Sequence, residues 1–286
     1  MQPKIGVIGN GFVGNALVRG FMLDAEIRVY DKDRRRSNNT LEDTVLNSDY
    51  IFICLPTPMK KVEGGEIDLS IISSVIEEIH PMVANTRKIL IIKSTVVPGT
   101  TKGFADKYQD TRFCFCPEFL TARQANLDFI NSSRIIFGGP PDVTQELEEV
   151  VFKPRFPAGH FFRTDYTSAE MVKYMCNCFF AVKVLFCNEF YDIIQHFGLD
   201  YNEIKAMFLA DGRIGNSHCN VNFGIDSRGV AGTCFPKDMN AIIHLCKDLG
   251  LHADILETAW KVNLRIRPRE QWDWAENSSA VSNNKK

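Results

Sequence analysis

Six short apolar runs, rich in β-branched residues, alternate with segments of helical periodicity in the first half of the chain. The runs are Lys4–Ile8, Ile27–Tyr30, Tyr50–Cys54, Ile89–Ser94, Phe113–Cys116 and Arg134–Phe137. This alternation predicts a parallel sheet with helices on both faces, because parallel strands need a crossover connection between them. The runs are almost continuously apolar, as strands covered on both faces require. We therefore expect ligand-binding loops at the carboxyl ends of these strands.

The second half of the chain has mostly helical periodicity. The sequence Thr167-Ser-Ala-Glu170 has the pattern of a capping box, and it predicts a helix that continues to about His196 and stops at Gly198. At about 1.5 Å per residue this helix would be on the order of 40 Å long, a length suited to connecting two domains. The predicted organisation is an α/β domain over residues 1–165, a bridging helix with an all-α domain over residues 166–272, and a disordered tail over residues 273–286.

The charge and cysteine content of the chain exclude several classes of protein. A formal net charge of -2 and a pI near 6.3 leave no broad basic field that would favour nucleic acid or an anionic membrane as partner. The longest apolar stretch, Met171–Phe197, is interrupted by charged residues that a membrane-spanning helix would not tolerate cheaply. Nine cysteines form no CxxC pair, and the N-terminus runs directly into a strand. We therefore expect a cytoplasmic protein without a metal site.

A glycine-rich motif follows the first predicted strand and opens a helix. Its sequence is Gly9-Asn-Gly11-Phe12-Val13-Gly14, and these glycines would permit a tight turn and the close approach of a pyrophosphate to helix-terminal amides. Asp31 ends the next predicted strand, where a carboxylate can hold the adenosine ribose hydroxyls and would repel a 2′-phosphate. The motif therefore predicts a Rossmann-like, doubly wound domain that binds NAD. The run Arg34-Arg-Arg36 complicates the choice against NADP, unless it is simply a solvated helix start.

Two further loops lie at the predicted ligand edge of the sheet. Leu55-Pro56-Thr57-Pro58 follows the third predicted strand, and Ser94-Thr95-Val-Val-Pro-Gly-Thr100 follows the fourth. Their hydroxyls and amides could contact the cofactor or position a water. Plain turn chemistry, in which Ser and Thr bond their own backbone, accounts for them equally well.

Polar residues in apolar surroundings give three more candidates. Glu118, in Pro117-Glu-Phe-Leu120, closes an apolar strand and is a candidate base or water-orienting carboxylate. Lys173 and Asn177 are four residues apart on the long helix, so both can address one substrate oxygen. The alternatives are a structural glutamate and a structural ion pair of the lysine.

The segment Gly229-Val-Ala-Gly-Thr-Cys234-Phe-Pro-Lys237-Asp238 is the most informative about chemistry. It delivers a cysteine to a predicted helix start and places a lysine and an aspartate directly after it. A thiolate near a helix N-terminus and a cation is a competent nucleophile, which favours a catalytic role for Cys234 over burial of an inert thiol.

Six of these segments resemble the UDP-glucose/GDP-mannose dehydrogenase family in order and in spelling. They are the GxGxxG start, LPTP, STVVPGT, PEFL, AEMVKYMCNCFFAVKVLFCNE and GTCFPKD, and the resemblance extends from Lys4 to about Asn263. It implies an α/β Rossmann-like domain, a bridging helix and an all-α dimerisation domain. It also implies oxidation of a nucleotide sugar, UDP-glucose before GDP-mannose or UDP-N-acetylmannosamine, with two NAD in succession.

The resemblance also implies a role for each candidate residue. Cys234 would form the thiohemiacetal and thioester, Lys173 and Asn177 would stabilise the oxyanion, and Asp238 would organise water and the lysine. Thr95 and Glu118 would activate water for hydrolysis of the thioester. The expected cofactor contacts are Gly9, Gly11, Phe12, Val13, Gly14, Asp31, Pro56, Thr57 and Thr95. The expected substrate contacts are Glu118, Phe119, Leu120, Lys173, Asn177 and Lys237, the last of them to a phosphate.

Three departures from the family pattern stand out. Ala122 occupies the position of a second glutamate after PEFL, so slow hydrolysis is expected. Ala231 replaces a glycine of the cysteine loop, which matters if that position needs a positive φ. Family members normally continue through a third, nucleotide-binding domain. We therefore expect a second chain or a dimer neighbour to complete the sugar-nucleotide pocket, unless fewer contacts hold the substrate or activity is lost.

The central helices form the dimer in this family, and the apolar residues of 171–190 predict a homodimer here. Two rival readings stay open. One is a two-electron hydroxyacid dehydrogenase of the 6-phosphogluconate type, which needs no cysteine. The other is a catalytically impaired protein that binds NAD or a partner.

Overall fold

The chain folds into two compact units. The structure is a computed structural model, and it describes residues 2–61, 64–121, 124–221, 228–267, 272 and 280–282. The first unit consists of residues 1–57 and 69–173, and the second of residues 58–68 and 174–286. The division falls inside the long helix, between residues 173 and 174. The sequence predicted a boundary eight residues earlier, between 165 and 166.

A seven-stranded sheet forms the centre of the first unit, as predicted for an α/β Rossmann-like fold. Its strands are β1 (Lys4–Ile8), β2 (Glu26–Tyr30), β3 (Tyr50–Ile53), β4 (Ile89–Ile92), β5 (Arg112–Phe115), β6 (Arg134–Gly138) and β7 (His160–Thr164). Their order is β2-β1-β3-β4-β5-β6-β7. Every residue of β3 and β4 is buried, which explains why both strands are continuously apolar.

Two features of the sheet differ from the sequence prediction. All neighbouring strands are parallel except β5 and β6, which meet antiparallel at Phe115 and Gly138. The seventh strand, β7, was not predicted. It lies at the sheet edge and is mostly exposed, so its sequence lacks the apolar run that identified the other strands.

Helices cover both faces of this sheet. They are α1 (Phe12–Phe21), α2 (Leu41–Leu46), α3 (Ser70–Val83), α4 (Thr100–Lys107), α5 (Ala125–Ile130), α6 (Pro141–Glu146) and α7 (Lys153–Arg155), with Leu147–Phe152 in π-helical geometry. Alternate residues of β3 enter different core clusters: Phe52 packs in the cluster of Phe21 and Phe152, whereas Ile51 packs in that of Ile76. The sheet is therefore buried from both sides.

The long helix α8 (Tyr166–His196) begins differently from the capping box predicted for it. The carboxylate of Asp165 accepts hydrogen bonds from the Ser168 amide at 2.9 Å and its hydroxyl at 2.6 Å. Glu170 instead accepts from the amides of Gly99 and Thr101, at 2.6 and 2.8 Å. The capping-box prediction is wrong because the amides at the N-terminus of α4 attract this carboxylate.

The second unit is helical. After α8 follow α9 (Tyr201–Leu209), α10 (Cys234–Asp248) and α11 (Asp254–Ile266), and their core includes Leu185, Val230 and Met239. Residues 58–68 belong to this unit, and the Met59 amide donates to the Ala280 carbonyl at 2.7 Å.

The Ser282 amide in turn donates to the Met59 carbonyl at 2.7 Å. Residues 280–282, which fall within the tail predicted to be disordered, therefore make defined contacts. The other residues of 273–286 lie outside the described part of the chain. Among the described residues, no helix combines the length and apolarity needed to cross a membrane.

Candidate active site

The glycine loop between β1 and α1 has two glycines that the protein itself requires. Gly9 has φ +93°, and a Cβ there would lie 2.5 Å from the carbonyl oxygen of Cys54. A Cβ on Gly14 would lie 2.0 Å from the carbonyl oxygen of Gly9. Gly11 is different, because a Cβ there would meet no heavy atom of the described residues within 4 Å. The protein's own packing therefore does not require a glycine at this position. A pyrophosphate that approaches the amides of α1 closely would require one, because a side chain would occupy its space.

The Asp31 carboxylate is oriented by two backbone amides. The Asn10 amide, inside the glycine loop, donates to Oδ2 at 2.7 Å, and the Asp33 amide donates to Oδ1 at 2.9 Å. Each carboxylate oxygen can accept a second hydrogen bond, so the pair of ribose hydroxyls predicted for this position can still be bound.

The three arginines after Asp31 form an exposed 3-10 turn, Arg34–Arg36. The Arg35 guanidinium bonds the Asp33 carboxylate at 2.8 Å and lowers the pKa of Asp33 to about 2. This matches the solvated helix start that was one of the two readings of these residues.

The two hydroxyl-rich loops at the sheet edge are joined to each other. The buried Thr57 hydroxyl donates to the Thr95 carbonyl at 2.5 Å, and the Ser94 hydroxyl donates to the Ile53 carbonyl at 3.3 Å. These hydroxyls therefore fix the loops after β3 and β4 relative to one another, and Thr95 is held half-buried at the carboxyl edge of the sheet.

Glu118 and Lys173 form a buried ion pair in the first unit. The Lys173 ammonium lies 2.7 Å from Oε1 of Glu118, and the two side chains are only 4% and 6% exposed. The Leu120 amide donates to Oε2 at 2.7 Å. The Lys173 ammonium lies 5.7 Å and the Arg134 guanidinium 3.9 Å from the centroid of the Phe119 ring. The structure thus brings together four of the predicted substrate contacts.

Two cations of this region were missed by sequence reasoning. Lys93 follows β4 and is 4% exposed, and Arg134 begins β6. Both line a cavity of about 520 Å³ together with Glu118, Phe119 and Asp128. The signal for Lys93 was present, because a charge ended an otherwise apolar run and a buried charge requires partners.

Cys234 is the first residue of α10, directly after the glycine-rich loop of the second unit. Its sulfur lies 3.9 Å from the Thr233 hydroxyl, and the residue is half-buried. Gly229 and Gly232 have φ +74° and +75°, whereas Ala231 does not adopt a positive φ. The alanine at this departure from the family pattern is therefore unstrained. The other departure, Ala122, lies outside the described residues.

Asp238 binds two of the predicted site residues in the second unit. Its Oδ1 accepts from the Lys237 ammonium and its Oδ2 from the Asn177 amide, both at 2.6 Å. All three residues are buried. Lys173 and Asn177, expected to address one substrate oxygen, are thus each held by a carboxylate of their own unit. Among the described residues, no cluster of His, Cys, Asp or Glu could hold a metal ion.

Known proteins match most of the chain. Residues 22–155 match the NAD binding domain of the UDP-glucose/GDP-mannose dehydrogenase family, and residues 167–265 match its central domain. A UDP-glucose 6-dehydrogenase from Rickettsia typhi is 29% identical over 243 residues, which make up 83% of this chain and 54% of that protein. The chain thus spans about half the length of the curated relatives it matches.

Solved structures share the fold over almost the whole chain. A UDP-glucose dehydrogenase from Pyrobaculum islandicum has a TM-score of 0.80 at 25% identity, covering 93% of this chain and 68% of that one. A 3-hydroxyisobutyrate dehydrogenase from Mycobacterium tuberculosis has a TM-score of 0.74 at 14% identity, covering 93% and 94%. The second likeness shows the fold alone. With both domains of one family matched, the chain belongs to the UDP-glucose/GDP-mannose dehydrogenase family.

Proposed function

We propose that the chain oxidises the primary alcohol of a nucleotide sugar to a carboxylate, with UDP-glucose as the first candidate substrate. The observation that carries this proposal is Cys234 at the N-terminus of α10, in a chain that belongs to this family. The amides at a helix N-terminus stabilise a thiolate, and a thiolate can trap an aldehyde.

NAD, when bound, would supply the hydride acceptor that each of the two proposed oxidation steps requires. The glycine loop with Gly9, Gly11, Phe12, Val13 and Gly14 would hold its pyrophosphate, and the open space at Gly11 fits that role. Asp31 would bind the ribose hydroxyls through its remaining lone pairs. The loops carrying Pro56, Thr57 and Thr95 would contact NAD at the carboxyl edge of the sheet.

The covalent steps would take place on Cys234. Its thiolate would add to the aldehyde carbonyl, and protonation of the resulting alkoxide would give a thiohemiacetal. Loss of that proton, with NAD as the acceptor of the hydride, would give a thioester. Water then cleaves the thioester, which releases the carboxylate and regenerates the thiol. We assign activation of this water to Glu118 and Thr95, and stabilisation of the oxyanion to Lys173 and Asn177.

The carboxylates of Glu118 and Asp238 would keep the side chains of Lys173 and Asn177 in fixed orientations for catalysis. Glu118 fixes the Lys173 ammonium, and Asp238 fixes the Asn177 amide. We assign a substrate phosphate to Lys237, which requires its contact with Asp238 to open. Phe119 and Leu120 would contact the substrate beside Glu118.

We also propose that the second unit forms a homodimer. One face of α8 presents five apolar side chains at helical spacing, each between 46% and 72% exposed: Met175, Phe179, Phe186, Phe190 and Ile193. A contiguous apolar stripe of this kind is costly in water and marks an interaction surface. A second copy would cover it with the same stripe, as a two-fold interface requires.

The proposal is tested by incubating the purified protein with NAD and each of UDP-glucose, GDP-mannose and UDP-N-acetylmannosamine while following the absorbance of NADH. We expect NADH with at least one of these sugars, and acid formation that Cys234→Ser abolishes. Cys246→Ser is the matched control, since this cysteine lies on the same helix. A wild-type protein that forms no NADH with any sugar contradicts the proposal and favours a protein that only binds NAD or a partner.

A two-electron hydroxyacid dehydrogenase of the 6-phosphogluconate type is the second candidate, because α8 carries the pair of Lys173 and Asn177 that such an enzyme would also use. That reaction transfers a single hydride and needs no cysteine. Turnover of small 2- and 3-hydroxyacids that is unchanged by Cys234→Ser would favour this candidate.

A further inference from the structure

Lys93 is a buried cation to which the proposed chemistry gives no role. It directly follows β4, and its ammonium contacts the carbonyl oxygens of Cys116 at 3.1 Å and Pro117 at 3.0 Å. The Cys116 sulfur lies 3.5 Å away. Within the described ranges no carboxylate forms an ion pair with this ammonium. A buried ammonium whose hydrogen-bond partners are all neutral is costly in free energy, so the presence of a lysine at this position needs an explanation.

The two carbonyls that Lys93 binds belong to a turn that leaves the sheet. The Cys116 amide still donates to the Ile92 carbonyl at 2.9 Å, as in the parallel pair of β4 and β5. Beyond that residue, β6 offers no ladder partner, because it meets β5 only at Phe115. The carbonyls of residues 116 and 117 therefore need a donor from elsewhere, and buried carbonyls without one are destabilising.

Glu118 is the next residue of this turn. Its Oε2 accepts from the Leu120 amide and its Oε1 from the Lys173 ammonium, both at 2.7 Å. The backbone that sets the direction of the Glu118 side chain is thus held by Lys93 at the two preceding carbonyls. A continuous set of contacts runs from the end of β4 through the turn to the buried ion pair.

We propose that Lys93 is a positioning residue for Glu118: by binding the carbonyls of Cys116 and Pro117, it aims the Glu118 carboxylate at the Leu120 amide and at Lys173. The effect of Lys93 on the backbone before Glu118 does not depend on the function of the protein. The catalytic consequence rests on the proposed function, in which Glu118 acts on the water that hydrolyses the thioester.

The chain offers a matched control at the opposite end of the same strand. Lys88 immediately precedes β4, and its ammonium also binds two backbone carbonyls, those of Leu46 at 2.8 Å and Ser48 at 2.5 Å. Lys93→Met and Lys88→Met therefore remove the same kind of contact from the same strand. Only the first change removes it beside Glu118.

Hydrogen exchange of the Leu120 amide measures the position of Glu118 without any turnover. We expect Lys93→Met to accelerate this exchange by about tenfold, because the amide loses a charge-assisted acceptor, and Lys88→Met to leave it unchanged. Lys93→Gln, which keeps two donor protons, should accelerate this exchange less than Lys93→Met does, and it is compared with wild type alone if the methionine variant does not fold. Equal Leu120 exchange in wild type and in the folded Lys93 variants overturns the proposal, whatever the enzyme activity.

Turnover adds a second, separable test. Lys93→Met should lower kcat to about the same extent as Glu118→Gln, with the KM for NAD unchanged, and the double variant should be no slower than Glu118→Gln alone. Additive losses in the double variant mean that Lys93 does not act through Glu118. A wild-type protein without turnover contradicts the proposed function only, because the exchange measurement still decides the role of Lys93.

Discussion

The ion pair between Lys173 and Glu118 gives the sharpest prediction about stability. Both side chains are at most 6% exposed, and their charged atoms are 2.7 Å apart. Replacing Lys173 by Met removes one charge and leaves the other buried, a change that costs about 3–5 kcal/mol. With about 2–4 °C of Tm lost per kcal/mol in domains of this size, the variant should melt roughly 6–20 °C below wild type.

The assay is urea unfolding followed by circular dichroism, with thermal melting as a second readout. Lys102→Met is the control, since the pair of Lys102 and Asp106 has a similar distance of 2.6 Å but side chains that are 61% and 64% exposed. An exposed pair of this kind contributes at most about 1 kcal/mol. The double variant Lys173→Met/Glu118→Leu should recover most of the lost stability, because no buried charge is left unpaired. A Lys173→Met variant as stable as Lys102→Met would refute the reasoning.

Three further predictions follow from the described contacts. Gly11→Ala should keep the melting temperature and weaken NAD binding measured by calorimetry, whereas Gly14→Ala should destabilise the fold because its Cβ would meet backbone at 2.0 Å; equal melting losses would contradict this. Burial raises the pKa of Glu170 above the ordinary pKa of a glutamate. Between the ordinary and the raised pKa the native state therefore keeps a proton that the unfolded chain has lost. The unfolding free energy of wild type relative to Glu170→Gln should therefore fall with rising pH in that window, and a pH-independent difference would argue against it. Phe186→Glu, on the apolar stripe of α8, should give a monomeric mass in light scattering at micromolar concentration. Phe162→Glu, on β7, changes a side chain of similar exposure, 53% against 49%, and should leave a dimer; dimers in both variants would locate the interface elsewhere.

The sheet could be predicted from sequence because its buried strands are nearly continuous apolar runs. Strand β1 was predicted with its observed bounds, and the loop that follows it was identified from its glycines. Strand β7 escaped because an exposed edge strand carries no such run. Local patterns thus identified the elements whose composition reflects full burial.

The pairing of the site residues was beyond sequence reasoning. Lys173 and Glu118 are 55 residues apart, and Asn177 and Asp238 are 61 apart. Periodicity describes which face of an element a residue occupies, but it carries no information on which distant carboxylate it meets. Glu170 illustrates the error that results, because a plausible local capping pattern competed with a distant helix terminus and lost.

The number of NADH molecules formed per molecule of carboxylate product tests covalent oxidation through Cys234 most directly. We expect two NADH per carboxylate, measured by absorbance against product quantified by chromatography, and no carboxylate from Cys234→Ser. One NADH per product, or acid formed by the serine variant at the wild-type rate, would contradict it.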